Sequence, residues 1–224
     1  MADQALFGLW KDVQKHTLLA PHLLPVLRPW EILDGLGTII ACLGASLPAD
    51  EYEQSGRDVW IARTARVSPA AHLTGPCIIG HDTELRPGAF IRGGVLVGDE
   101  AVIGNSTELK NCVLFDGVQV PHFNYVGDSI LGYRAHLGAG AVTSNVKSDR
   151  TEVFAHLGGQ AVATGRRKLG ALVGDVVEIG CHTVLNPGVV IGRESAVYPG
   201  LSLRGYVAGG CVYKGEGNVV RKSH

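Results

Sequence analysis

Charge and aromatic surface are both scarce in this 224-residue chain: 18% of its residues are Asp, Glu, Lys or Arg, and 6% are Phe, Trp or Tyr. Lys and Arg number 20 against 21 Asp and Glu, a formal net charge of −1. No broad basic face is available, so nucleic acid is not expected as a partner. No apolar run approaches the ~18 residues of a membrane span, and the N-terminus lacks the basic start and cleavage site of a signal peptide. These absences predict a soluble, cytoplasmic protein without a membrane partner. Five cysteines (Cys42, Cys77, Cys112, Cys181, Cys211) form no CxxC pair and are odd in number. That pattern predicts small buried hydrophobes of a reducing compartment, not a disulfide framework. A hydrophobic content of 46% excludes disorder.

Glycine is what the chain has in excess: 31 residues, without a G-X-Y period, which points to many tight corners. The corners are periodic. Stepping by six from Ile61 meets Val67, Leu73, Ile79, Leu85, Ile91, Val97, Ile103, Leu109 and Phe115. Ten such hits against this background arise by chance about once in two thousand trials per register. The next position is mostly small (Ala62, Ser68, Thr74, Gly80, Gly98, Gly104), with Arg86, Arg92, Lys110 and Asp116 as interruptions. Period six fits neither the three-to-four spacing of a helix nor the two of a strand. It fits a solenoid of short strands, one hexad per face and three faces per coil, in which each coil buries its neighbour. The pattern resumes in another phase at Leu131 and Leu137, and again as Val173, Ile179, Leu185, Ile191, Val197 and Leu203. The fold expected is therefore all-β: a left-handed parallel β-helix, generally a trimerising fold, over residues 58–224.

Two segments fall outside the repeat. Residues 1–57 read as helical, with Pro29 as an N1 residue and Trp30, Leu33, Leu36, Ile40 and Leu43 at helical spacing. Around 146–170 the hexads stop. There 152–157 and 160–164 flank Gly158-Gly159, which predicts a hairpin arm leaving the prism toward a neighbouring subunit.

Chemistry is sought where the repeat is violated. Arg86 in Leu85-Arg-Pro-Gly-Ala89 and Lys110 in Asn105-Ser-Thr-Glu-Leu-Lys110 put a guanidinium and an ammonium in a slot otherwise small, which suits phosphate and sugar hydroxyls. The register slips between Pro121 and Leu131. His122 lies at that break and Tyr125 three residues on. An imidazole with a pKa near 6.5 suits a general base taking a proton from an attacking amine.

These motifs resemble the acetyltransferase half of the bacterial bifunctional enzyme that makes UDP-N-acetylglucosamine. The family's pattern appears here as Leu85–Ala89, Glu108-Leu-Lys110, His122-Phe-Asn-Tyr-Val-Gly-Asp128 and His136-Leu-Gly-Ala-Gly140 ending in Asn145. The resemblance implies an acyl-CoA-dependent N-acyltransferase of an amino-sugar phosphate or nucleotide-linked amino sugar, with acetyl-CoA as co-substrate and a homotrimer as the working unit. It implies that Arg86 and Lys110 hold the sugar phosphate, that His122 is the base and that Glu108 orients the site. Tyr125 and Asn145 would touch the sugar or its phosphate. A backbone N–H in the Gly138–Gly140 turn would meet the oxyanion, Ala139 facing the thioester or CoA, and Lys168 would match a late basic residue of the family.

The chain departs from the family at His136, where an Asn contacting the amino sugar is expected, and at Val146, where a Tyr follows the final Asn. The Arg86-to-Lys110 spacing is one hexad longer, a difference that would shift Arg86 along the prism. The Gly-rich N-terminal loop of the nucleotidyltransferase half is not present in the first 60 residues, so no uridylyl transfer is expected. Two rivals remain. One is a non-catalytic trimerising or regulatory module binding a sugar phosphate. The other is a metal-dependent carbonic anhydrase on the same fold, for which His81, His122 and His136 lack the His-x4-His pair needed. No metal is expected.

Overall fold

The computed structural model describes residues 8–158 and 160–222. Its body is a left-handed parallel β-helix whose coils wrap a triangular prism. The first face carries strands such as Cys77–Ile79, Val95–Val97 and Cys112–Leu114, and the second carries Glu84–Leu85, Val102–Asn105 and Gln119–His122. The third carries Phe90–Ile91, Glu108–Lys110, Tyr125–Gly127 and Val142–Thr143. Leu85, Ile91, Val97, Ile103 and Leu109 fill the prism and are completely buried, so the six-residue step is the step from one face to the next. The small residue after each aliphatic is required by the coil below: a Cβ at Gly104 would overlap the carbonyl of Pro121.

The register departs from strict hexads earlier than the sequence suggested. Leu114, not Phe115, follows Leu109 into the prism, and Leu131 follows Val126, each after five positions instead of six. The shortened corners turn on Asn111 and Asp128, both left-handed at φ 47°, where the coil before uses Gly93 and Gly94. Within the expected slip between Pro121 and Leu131, the step from Val120 to Val126 is still six residues, and the short step is the one from Val126 to Leu131. Phe115 lies outside the prism, fully buried in a second core.

That second core coats the first face. Its strands are apolar on both sides, because Ile78, Leu96, Val113, Ile130, Leu172 and Val190 point away from the prism and are buried all the same. Helices α1 (Val13–His16), α2 (Ala20–Leu23) and α3 (Ile32–Ser46) lie over them, α3 being preceded by a 3-10 turn at Pro29–Glu31. Trp30, Leu33, Leu36 and Ile40 face inward, and Gly44 lets α3 rest on the Trp60 ring. Each of these aliphatic side chains contributes about 1.5–3 kcal/mol by leaving water. Tyr52–Gly56, within the segment expected to be helical, is instead a strand antiparallel to Val59–Ala62. The cysteine expectation also needs correction: Cys77, Cys112 and Cys211 are buried, burial pushing the Cys77 thiol up to about 12, whereas Cys42 and Cys181 are exposed.

The inserted hairpin pairs Phe154–Leu157 with Gln160–Ala163; Gly159 of the expected turn lies outside the described residues. It does not project as a free arm. Val153, Ala155 and Leu157 are buried in the second core, and His156 N–H donates to Gly188 O at 3.4 Å, so the hairpin folds back on its own prism. Apolar residues on alternate positions, facing the uncovered end of the first face, drive that return. No helix among the described residues is long and apolar enough to cross a membrane.

Trp10 pins the start of the coating layer, its indole N–H donating to Val173 O at 2.9 Å while its ring packs 5.6 Å from that of Phe115. Trp10→Ala is expected to cost about 3–5 kcal/mol. The measurement is urea unfolding, with a lower midpoint and an unchanged slope.

Candidate active site

The edge between the second and third faces carries the exposed imidazole of His122. Its backbone is fixed from inside the prism. Asn124, almost fully buried, accepts the His122 N–H on Oδ1 at 3.0 Å. Its Nδ2 donates to Gly138 O and Ala141 O at 2.8 and 2.9 Å, which ties this corner to the next coil. Both amide hydrogens and the amide oxygen are thereby used inward, so Asn124 belongs to the support of His122 and not to the exposed surface. Phe123 beside it stands 62% exposed at φ 51°. The same connection closes the turn below: Gly140 N–H donates to His122 O at 3.0 Å and Gly138 N–H to Ile179 O at 2.7 Å. Ala139 N–H, between them, donates to no group among the described residues.

The third face begins at this edge. Phe90, Glu108, Tyr125 and Val142 stand in register down its start. Arg92 and Lys110 stand in adjacent coils near its end, about 4.8 Å apart at the backbone. Arg92 Nη1 donates to Glu108 Oε1 at 2.6 Å, a hydrogen bond that pushes the already high pKa of Arg92 further up. Glu108 is thus held by Arg92. Tyr125 lies along the face over Gly127, where a Cβ would overlap its hydroxyl. The hydroxyl receives Asn145 Nδ2 at 3.3 Å. Burial first, and then the charges of Asp128 and Glu108, raise the Tyr125 pKa above 10.

Of the residues expected from the sequence, His122, Glu108, Tyr125 and Lys110 share this edge and face. Arg86 does not join Lys110. The extra hexad puts it on a different face, directly after the second-face strand Glu84–Leu85, where Glu84 holds it with Nε–Oε1 at 3.2 Å. Arg92, eighteen positions before Lys110, takes the matching slot on the third face. His136 lies at the opposite side of the second face, in register with Gln119, its Nδ1 2.7 Å from Glu178 Oε2. Asn145 and Lys168 stand at the neck of the insertion, where Leu169 N–H donates to Asn145 O at 3.0 Å and Lys168 bridges Val146. Asn124 and Asp128 went unread in the sequence, and Arg92, noted as an interruption of the small slot, was given no role. Asn124 had a usable signal, since it occupies the column that Ala89 and Thr107 fill in earlier coils and Ala141 in the next. Among the described residues no cluster of three His, Cys, Asp or Glu side chains is placed to hold a metal ion.

The sequence profile described as the GMPPB C-terminal domain matches residues 73–166. A bifunctional sugar-1-phosphate nucleotidylyltransferase/acetyltransferase of Sulfurisphaera tokodaii is 30% identical over 197 residues, covering 86% of this chain and 46% of that protein. The bifunctional protein GlmU of Methanococcus maripaludis is 37% identical over 111 residues, 50% of this chain and 27% of its own length. The chain is a hexapeptide-repeat relative of the GlmU-type enzymes. It spans less than half the length of these two relatives. Among solved structures, the acetyltransferase domain of PglB from Neisseria gonorrhoeae in complex with acetyl coenzyme A is similar at 20% identity, over 69% of this chain and 53% of that one, with a TM-score of 0.35. Within the GlmU-type pattern the His122-to-Asn145 stretch supplies the His122 edge, the Tyr125 hydroxyl and the Ala139 turn described above.

The raised Tyr125 pKa has a consequence for stability. Above pH 10 the unfolded chain loses this phenolic proton while the folded protein keeps it, so the associated stabilisation is present below that pH and fades as pH rises through the folded value. Tyr125→Phe is expected to flatten the decline in urea midpoint above about pH 10. Tyr52, raised by burial to about 12, keeps a residual slope in the same variant.

Proposed function

We propose that the chain transfers an acetyl group from acetyl-CoA to the amine of an amino-sugar phosphate or a nucleotide-linked amino sugar. The observation that carries the reading is the placement of the exposed His122 at the edge from which the Arg92–Glu108–Lys110 array begins. Arg92 and Lys110 offer two cations to a phosphate on one face, and they replace the pair of Arg86 and Lys110 implied by the sequence motifs. Tyr125 presents its hydroxyl to the sugar, and Glu108 orients Arg92 and accepts from a sugar hydroxyl.

In the reaction the amine nitrogen attacks the thioester carbonyl, and His122 takes the proton that the nitrogen sheds. The negative charge gathers on the former carbonyl oxygen, and the unengaged Ala139 N–H is the donor suited to it. The N–C bond is complete when the C–S bond breaks, and the proton on His122 passes to the departing CoA thiolate. The acyl donor supplies the activated carbonyl; the chain supplies position, a base and an oxyanion donor.

His136 and Lys168 stand on edges of the prism other than that of His122, and a single copy does not gather them. A homotrimer in which edges of neighbouring prisms face each other would bring such residues to one site, with Lys168 toward CoA. That arrangement is part of the proposal.

Thiol release from acetyl-CoA, followed across a panel of amino-sugar phosphates that includes glucosamine 1-phosphate, tests the reading. His122→Ala is expected to lower kcat by about a hundredfold or more with the acceptor, within the range of a general base. Equal turnover in the variant removes His122 from the role of base. No turnover with any acceptor, but retained binding of a sugar phosphate, favours the non-catalytic module.

A further inference from the structure

Asp128 turns the corner one coil before the corner at which the inserted segment leaves the prism, and it is only 3% exposed. Its two oxygens are taken by amides: Oδ1 accepts Asn111 Nδ2 at 2.7 Å and Oδ2 accepts Asn145 Nδ2 at 2.6 Å. Amides satisfy the lone pairs without balancing the charge. The balancing cation comes from the insertion. Arg166 Nη2 lies 3.7 Å from Asp128 Oδ1, and the Arg166 side chain is 10% exposed. The guanidinium is itself held on both other edges, Nη1 by the Asp34 carboxylate of α3 and Nε by Lys168 O at 3.0 Å. The same Asn145 Nδ2 that reaches Asp128 also reaches the Tyr125 hydroxyl. A continuous path therefore runs from α3 through Arg166, Asp128 and Asn145 to the third face beside Glu108.

We propose that Arg166 is a positioning residue for the acceptor: through Asp128 and Asn145 it fixes the Tyr125 hydroxyl, so the inserted segment sets how the sugar is held. The proposal rests on the acetyltransferase reading for its kinetic consequence but not for its structural one. The physical reason is the cost of a buried carboxylate without its cation. Deprived of Arg166, Asp128 either keeps an uncompensated charge or takes a proton. A protonated carboxyl donates where it used to accept, one of its two amides turns away, and Asn145 no longer holds the Tyr125 hydroxyl.

The test uses the full chain with its six tyrosines labelled at 13Cζ, the Tyr125 resonance being assigned by its loss in Tyr125→Phe. Arg166→Gln is expected to shift the Tyr125 resonance and raise the acceptor KM about tenfold, while the KM for acetyl-CoA stays within about twofold. Arg166→Lys, which keeps the charge, restores most of both. In an Asp128→Asn background, where no buried charge awaits compensation, Arg166→Gln has no further effect on either readout. If Arg166→Gln alone does not fold, the double variant is expected to fold, for the same reason. An unmoved Tyr125 resonance in folded Arg166→Gln overturns the proposal, as does an effect equally large in the Asp128→Asn background. A fall in kcat with no preference for the acceptor KM also overturns it. Where the wild-type chain turns over no acceptor, the acetyltransferase reading fails and the Tyr125 resonance alone decides the positioning role.

Discussion

The parallel ladder leaves no coil free to shift against the next. Phe90 N–H bonds to Thr107 O at 2.8 Å, Glu108 N–H to Asn124 O at 2.9 Å, and Val142 N–H to Thr183 O at 2.9 Å, and the same pattern recurs on the other faces. A sheet bonded in this way has one register, because a one-residue slip would turn every aliphatic out of the prism. Fixing the inward residues fixes the outward columns. The proposed chemistry is a property of those columns: Phe90, Glu108 and Tyr125 in one, Arg92 and Lys110 in another, with His122 at the edge beside them. Rigid stacking gives the positional precision that a site built on loops would need other support to reach.

The same constraint explains where the chain has room for additions. The first face is apolar on both sides and must be covered, and the covering is divided between the N-terminal helices and the returned hairpin. The second and third faces stay open. The insertion leaves at a corner, between Asn145 and Gly170, where Gly170 N–H bonds to Asp128 O at 2.8 Å and the coil above is undisturbed. An excursion at a corner breaks no ladder bond. It does bring Arg166 to a carboxylate inside the neck, so the covering layer and the third face are connected by charge as well as by packing.

The period of six made the fold legible, since the aliphatic hits name the prism core almost residue by residue from Leu85 to Leu109. It failed at Phe115, where a corner one residue short puts Leu114 inside and the phenyl ring under Trp10. Aliphatic residues at adjacent positions cannot be ranked by periodicity when both sides of a strand are buried. The motif stretch from His122 to Asn145 pointed to the edge between the second and third faces, and Tyr125, Glu108 and Lys110 stand by it. Motif order did not show that Arg86 and Lys110 stand on different faces: one additional hexad moves a residue by a whole face. Asp128 and Arg166 are thirty-eight positions apart and meet only because the insertion folds back, a contact that no local pattern encodes. The hairpin's return was legible in principle, in the alternation of Val153, Ala155 and Leu157, but its target surface was not.

The central claim is that the third face, and not the arginine of the Leu-Arg-Pro-Gly motif, receives the anionic end of the acceptor. Calorimetric titration of glucosamine 1-phosphate into the wild-type chain, Arg92→Gln and Arg86→Gln tests it most directly. A hydrogen bond to a charged group is worth about 1.5–3 kcal/mol, so Arg92→Gln is predicted to weaken binding about tenfold or more while Arg86→Gln binds as the wild type does. Loss of binding in Arg86→Gln with unchanged affinity in Arg92→Gln would contradict the account.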